Sequence, residues 1–80
     1  MEVGPQWFET WKQLHTRWHE ADQRARKARG EATVAFMECT YGEGRAPTPA
    51  QLDKVSQLER TADWLRIEMD AHILDAFTTP

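Results

Sequence analysis

The sequence predicts an all-α protein: an antiparallel two-helix hairpin with a coiled-coil-like, alanine-rich seam, dimerising into a four-helix bundle. Three observations predict it: a heptad stripe in each half of the chain, a glycine- and proline-containing breaker between the halves, and a second apolar stripe on each helix. The 80 residues suffice for a single helical-hairpin domain over 1–80. We expect helix 1 over about 5–41, a loop over 42–48 and helix 2 over about 49–77.

Apolar residues in the first half recur in alternating steps of four and three, which is the a and d spacing of a coiled coil. The stripe is bulky at its start and almost pure alanine afterwards. A partner helix therefore has to approach closely and supply the large side chains. The members of this seam are Trp7, Trp11, Leu14, Trp18, Ala21, Ala25, Ala28, Ala32, Ala35 and Cys39.

Turn chemistry marks the ends of both helices. Gly4 and Pro5 open helix 1, because proline lacks the N–H that a first helical turn leaves without a partner. Gly42 is placed to end helix 1 in a left-handed conformation. Thr48 and Gln51 have the spacing of a capping box, which predicts that helix 2 starts between them.

The second half carries a matching seam, and the short loop makes the two helices antiparallel neighbours. One register places Trp18 opposite His72 and Ala21 opposite Met69, so that small residues mostly meet large ones. The same register pairs flanking charges of opposite sign, which specify alignment although exposed pairs add little stability. The seam of helix 2 is Val55, Leu58, Ala62, Leu65, Met69, His72 and Ala76. The charge pairs are Arg17 with Asp75, Arg24 with Glu68, Glu38 with Lys54, Asp22 with Arg66, and Arg29 with Glu59.

Apolar residues outside the seams predict a second chain. Helix 2 has a stripe nearly opposite its seam, helix 1 has a shorter counterpart, and in this register Trp7, Phe8 and Trp11 extend beyond the end of helix 2. A helix with apolar stripes on two sides is buried from two sides. The simplest cover is a homodimer, with a different protein partner or a larger oligomer as the alternative. The predicted partner-binding residues are Trp64, Ile67, Ala71, Leu74, Trp7, Phe8, Trp11, Val34, Met37 and Tyr41.

The predicted function is a small, non-enzymatic protein-interaction module that acts as an adaptor, inhibitor or assembly factor. The sequence has no nucleophile elbow and no phosphate-binding glycine loop, and a hairpin encloses no catalytic pocket. We therefore expect no catalytic residue and no cofactor. The alternative is a nucleic-acid-binding regulator that uses the basic face Arg24, Arg26, Lys27 and Arg29. The net charge of −3 and the acidic partners of Arg24 and Arg29 weaken it, leaving Arg26 and Lys27 free.

A metal site is a weaker alternative. His15 and His19 are spaced i, i+4, and the register brings His72 and Asp75 near them, a set of ligands that suits Zn²⁺. The preferred interpretation is that no metal binds and that His72 is a half-buried histidine beside Trp18.

The sequence also indicates in which cellular compartment we expect the protein. No apolar run approaches the roughly 20 residues that span a bilayer, so we expect no membrane segment. The start of the chain, 1–5, lacks the basic and apolar regions of an export signal. Cys39 is the only cysteine, which excludes an internal disulfide. The expected location is the reducing cytoplasm.

Overall fold

A computed structural model describes residues 4–78, and these residues form two helices that pack against each other as an antiparallel hairpin. Helix α1 spans Pro5–Thr40 and helix α2 spans Pro49–Thr78. The hairpin is a rod of 60 × 17 × 16 Å. The predicted all-α hairpin is therefore confirmed, and both helices end within one residue of the predicted bounds. The dimeric four-helix bundle stays a prediction.

The end of α1 has the turn that Gly42 predicts. Gly42 has a φ of 76°, a left-handed conformation that glycine adopts without a steric penalty. Its amide donates a hydrogen bond to the carbonyl of Cys39 at 3.0 Å, and the amide of Glu43 donates to the carbonyl of Glu38 at 2.9 Å. These two bonds form a Schellman motif, which satisfies carbonyls that the last helical turn leaves open.

The start of α2 has the predicted capping box. The amide of Gln51 donates to Thr48 Oγ1 at 3.1 Å, and the amide of Thr48 donates to Gln51 Oε1 at 2.8 Å. Each side chain thus satisfies a backbone donor of the other residue. The connection between the helices is consequently defined at both ends, which fixes where α2 turns back along α1.

Two glycine substitutions should change the stability in opposite directions. A Cβ added at Gly30 or at Gly42 meets no atom within 4 Å, so backbone conformation alone decides the effect. Gly30→Ala should raise the free energy of unfolding by about 1 kcal/mol, because Gly30 lies inside α1. Gly42→Ala should lower it by about 1–2 kcal/mol, because alanine is strained at positive φ. Urea unfolding of both variants measures this, and a shift of the same sign in both would contradict it.

The two seams form the core of the hairpin. All α1 seam residues, from Trp7 to Cys39, are buried or half-buried, as are all α2 seam residues from Val55 to Ala76. This burial confirms the heptad pattern. The least exposed side chains are Ala21, Ala25 and Ala32 of α1, at 7, 5 and 8%, and Val55, Ala62 and Leu65 of α2, at 3, 5 and 5%.

The register between the seams differs from the predicted one. Ala21 packs with Ala62 and Leu65, not with Met69 as predicted. A heptad pattern looks the same after a slide of seven residues, so the pattern alone does not distinguish the two registers. The observed register places α2 nearer to the start of α1.

The different register also changes which residues of α2 contact the aromatic side chains at the start of α1. His72 stacks on Trp7, with ring centroids 4.7 Å apart, and not on Trp18 as predicted. The prediction that Trp7 extends beyond α2 is therefore wrong. Trp7 and Trp11 are half-buried, whereas Phe8 keeps 48% of its surface exposed.

The charge pairs only partly follow the prediction. Arg29 donates two hydrogen bonds to the carboxylate of Glu59, at 2.5 and 3.2 Å, as predicted. Asp22 accepts from Arg26 within α1 at 2.8 Å instead of pairing with Arg66, because a partner one turn along the same helix is closer. Within residues 4–78 no ion pair forms in two further predicted couples, Arg24 with Glu68 and Glu38 with Lys54.

The Arg29–Glu59 pair predicts an acid-sensitive contribution to stability. The hydrogen bond from Arg29 lowers the pKa of Glu59, desolvation opposes this, and the charge of Arg29 adds to it. A carboxyl with a lowered folded-state pKa stabilises the fold above its unfolded pKa of about 4.3, and this contribution is lost as the pH falls through the folded-state value. Glu59→Gln should therefore flatten the stability curve below about pH 4.3. Glu31→Gln serves as the control, and an equal flattening in both variants would contradict the role of the pair.

Candidate interaction surface

The α2 outer stripe consists of Trp64, Ile67, Ala71 and Leu74, which lie on the side of α2 that faces away from α1. Their spacing of three and four residues aligns them on one face, nearly opposite the seam. The exposed fractions of Trp64, Ile67 and Leu74 are 61, 56 and 62%, and Ala71 is also exposed. The structure thus places this part of the predicted partner-binding set together on an open face.

The flanks of the α2 outer stripe are acidic. On a helical wheel of about 100° per residue, Asp63 and Asp70 lie on one flank and Glu68 and Asp75 on the other, each within about 80° of the stripe's centre. These carboxylates are called the acidic rim below. The sequence over 63–78 contains one Lys or Arg, Arg66, and the wheel places it away from the stripe.

Three ion pairs of the hairpin have Glu9, Asp22 and Glu59 as their acidic partners. In the part of the chain that the structure describes, Asp63, Glu68 and Asp70 form no ion pair. Asp63 and Asp70 are exposed, and Glu68 is half-buried. The rim was not among the partner-binding residues predicted from the sequence, although carboxylates lie beside the stripe on both sides and recur at intervals of seven residues.

The α1 outer stripe consists of Val34, Met37 and Tyr41. These side chains are 54, 50 and 75% exposed, so the structure leaves this part of the predicted set open as well. The α1 outer stripe lies next to the loop, whereas the α2 outer stripe lies toward the other end of the rod. The two stripes are therefore separate surfaces that face away from each other.

Trp7 takes part in closing the hairpin. Its indole Nε1 donates to the carbonyl of His72 at 3.4 Å, and His72 Nε2 donates to the carbonyl of Trp7 at 3.1 Å. A carbonyl only accepts hydrogen bonds, so Nε2 of His72 carries a proton. The edge of Phe8 packs on Trp7, with ring centroids 5.3 Å apart. His72 is half-buried as predicted, but its neighbour is Trp7.

The other histidines lie in an aromatic row along α1. His15 stacks on Trp11 at 5.1 Å and on His19 at 6.4 Å between ring centroids. His72 contacts Trp7 further toward the start of α1, so the predicted proximity of His72 to His15 and His19 is wrong. Among the described residues no three His, Cys, Asp or Glu side chains come together in a way that suits a metal ion.

The basic face on α1 is partly neutralised. Arg26 pairs with Asp22 at 2.8 Å, which corrects the expectation that Arg26 is free, and Arg29 pairs with Glu59. These pairs raise the pKa of Arg26 and of Arg29 further above their ordinary values, mainly through the hydrogen bonds. The remaining residues of the predicted nucleic-acid face, Arg24 and Lys27, line a shallow groove that also contains Lys54 and Glu31.

Comparison of the chain with protein-family models, with curated proteins and with solved structures finds no match. Neither helix, over the residues described, is long and apolar enough to cross a membrane. The molecule is a narrow rod with a packed alanine-rich seam and an exposed apolar stripe between carboxylates.

Proposed function

We propose that the protein is a small, non-enzymatic interaction module that binds a helix of another protein along the α2 outer stripe. The observation that carries the proposal is the exposure of Trp64, Ile67 and Leu74 on one open face, at 61, 56 and 62%. The seam residues of α2, from Val55 to Ala76, already pack against α1, so this face is not needed to close the hairpin. An adaptor, an inhibitor and an assembly factor would all use such a face.

The spacing and the residue types support helix binding. The stripe follows the i, i+3, i+7, i+10 spacing by which helices pack side by side. Covering an exposed leucine or isoleucine contributes about 1.5–3 kcal/mol, and tryptophan is enriched among the residues that dominate binding energy. Trp64 and Ile67 are therefore the proposed anchors.

Self-association is the other use of this surface. A homodimeric four-helix bundle, as the sequence predicts, would cover the α2 outer stripe with a second copy of the chain. Sedimentation equilibrium of the wild type measures this directly, because a dimer doubles the mass of the 9.3 kDa chain. The nucleic-acid alternative has less support, since Arg26 and Arg29 are engaged in ion pairs.

Trp64→Asp tests the proposal. The probe is a labelled helical peptide with leucines at i, i+3, i+7 and i+10 and uncharged glutamines on both flanks, followed by fluorescence anisotropy. Trp64→Asp should weaken binding at least tenfold, because losing a buried tryptophan anchor costs about 2 kcal/mol or more. Phe36→Asp is the matched control, since Phe36 is a similarly exposed aromatic residue, 60% against 61%, outside the stripe.

Both variants should keep the helix content of the wild type by circular dichroism, because both side chains are mainly in solvent. Binding that is unchanged in Trp64→Asp, or lost equally in both variants, would refute the proposed function.

A further inference from the structure

We infer that the helix bound by the α2 outer stripe is a basic amphipathic helix, with Lys or Arg on both sides of its apolar face. The inference rests on the proposed function and specifies the chemistry of the partner. It is carried by the acidic rim, Asp63, Glu68, Asp70 and Asp75, which borders the stripe on both flanks.

The placement of the rim determines which charges a bound helix meets. When two helices pack, the residues that flank each apolar stripe face the flanks of the other helix. Asp63 and Asp70 recur at seven residues on one flank, and Glu68 and Asp75 do so on the other, so a bound helix meets carboxylates on both sides over about two turns. Opposite charges at these positions speed association and favour a basic helix, whereas like charges disfavour the binding of an acidic helix.

Three of the four carboxylates of the rim are also available for a partner. Asp63, Glu68 and Asp70 form no ion pair within the described residues. The ion pairs of Asp22 with Arg26 and of Glu59 with Arg29 involve none of these three carboxylates. A basic helix would therefore pair with these three carboxylates without displacing an ion pair that holds the hairpin together.

The same rim disfavours a second copy at this surface. If two α2 outer stripes pack on each other, whether parallel or antiparallel, the acidic flanks of one copy face the acidic flanks of the other. Glu68 and Asp70 lie near the middle of the stripe, so a symmetric antiparallel pair brings like charges close to its centre. Such pairs destabilise association. An anionic lipid surface is disfavoured for the same reason.

Three peptides test the inference. They share leucines at i, i+3, i+7 and i+10 and differ only in their flanking residues, which are all lysine, all glutamine or all glutamate. In 50 mM salt the lysine-flanked peptide should bind at least tenfold more tightly than the glutamine-flanked peptide, and the glutamate-flanked peptide should bind most weakly. The advantage of lysine should shrink in 500 mM salt, because exposed charges are screened.

Two triple variants locate the effect. Asp63→Asn with Glu68→Gln and Asp70→Asn neutralises the rim and should remove most of the preference for lysine. The control is Glu20→Gln with Glu31→Gln and Glu43→Gln, which changes the net charge equally but neutralises exposed carboxylates elsewhere. The control should keep the preference.

The outcomes separate the two proposals. If the wild type binds the lysine- and glutamine-flanked peptides with equal affinity and Trp64→Asp binds neither, the inference of a basic partner is overturned. The proposal that the stripe binds a helix then still stands. No binding of any peptide overturns both. A wild-type dimer in sedimentation that Trp64→Asp dissociates overturns the inference in favour of a second copy. Binding to phosphatidylserine vesicles that Trp64→Asp abolishes overturns it in favour of a lipid surface.

Discussion

Replacing Leu65 by alanine should unfold a large share of the protein at room temperature. Leu65 is 5% exposed and packs with Ala21 and Ala62, with Trp18 against the same cluster. A buried leucine replaced by alanine costs about 2–5 kcal/mol. A core of this size supplies only about 3–5 kcal/mol in total. The loss is therefore comparable with the whole stability of the fold, and it should appear as a lower helical signal in circular dichroism and an earlier midpoint in urea.

Leu74→Ala is the matched control for this prediction. It makes the same chemical change in the same helix, but Leu74 is 62% exposed on the α2 outer stripe. Substitutions at exposed positions usually change stability by no more than about 0.5 kcal/mol. If Leu74→Ala destabilised the isolated chain as much as Leu65→Ala, the α2 outer stripe would contribute to the fold, and its availability to a partner would be disproved.

The sequence determines the helices of this chain more clearly than their alignment. Gly42, Thr48 and Gln51 carry local signals whose hydrogen bonds involve residues nearby in the chain, and the structure has each bond where the spacing predicts it. The alignment of the two seams depends on residues far apart in sequence. A heptad repeat leaves registers seven residues apart nearly equivalent, and Arg29 with Glu59 forms in the observed register although it was predicted from another.

The candidate surface also contains features that depend on one helix alone and features that depend on the alignment of both helices. Trp64, Ile67 and Leu74 were predicted as exposed from periodicity along one helix, and that prediction does not depend on register. The position of Trp7 does depend on it, because the observed alignment makes Trp7 a partner of His72, whereas the predicted alignment left Trp7 uncovered. Features set by a single helix are therefore readable from the sequence, whereas features shared by both helices require the structure.

Enlarging the alanine seam should also destabilise the hairpin strongly. Ala25 is 5% exposed on the α1 seam, so the larger side chain of Ala25→Leu has to push the closely packed helices apart. Overpacking of this kind costs about 1–3 kcal/mol. Ala71→Leu is the control, because Ala71 is exposed on the outer side of α2. Urea unfolding should show a lower free energy of unfolding for Ala25→Leu and little change for Ala71→Leu.

A second substitution makes this experiment report the register. Ala21 packs with Ala62, so we expect the residues four positions onward in α1 and four positions back in α2, Ala25 and Leu58, to face each other. Adding Leu58→Ala to Ala25→Leu restores the total side-chain volume of that layer. The free energy of unfolding of the double variant should therefore be about 1 kcal/mol higher than the value expected from adding the two single effects. In the register predicted from the sequence, Leu65 would face Ala25 instead. Rescue by Leu65→Ala rather than by Leu58→Ala would therefore show that the helices pair in that register and not in the one described above.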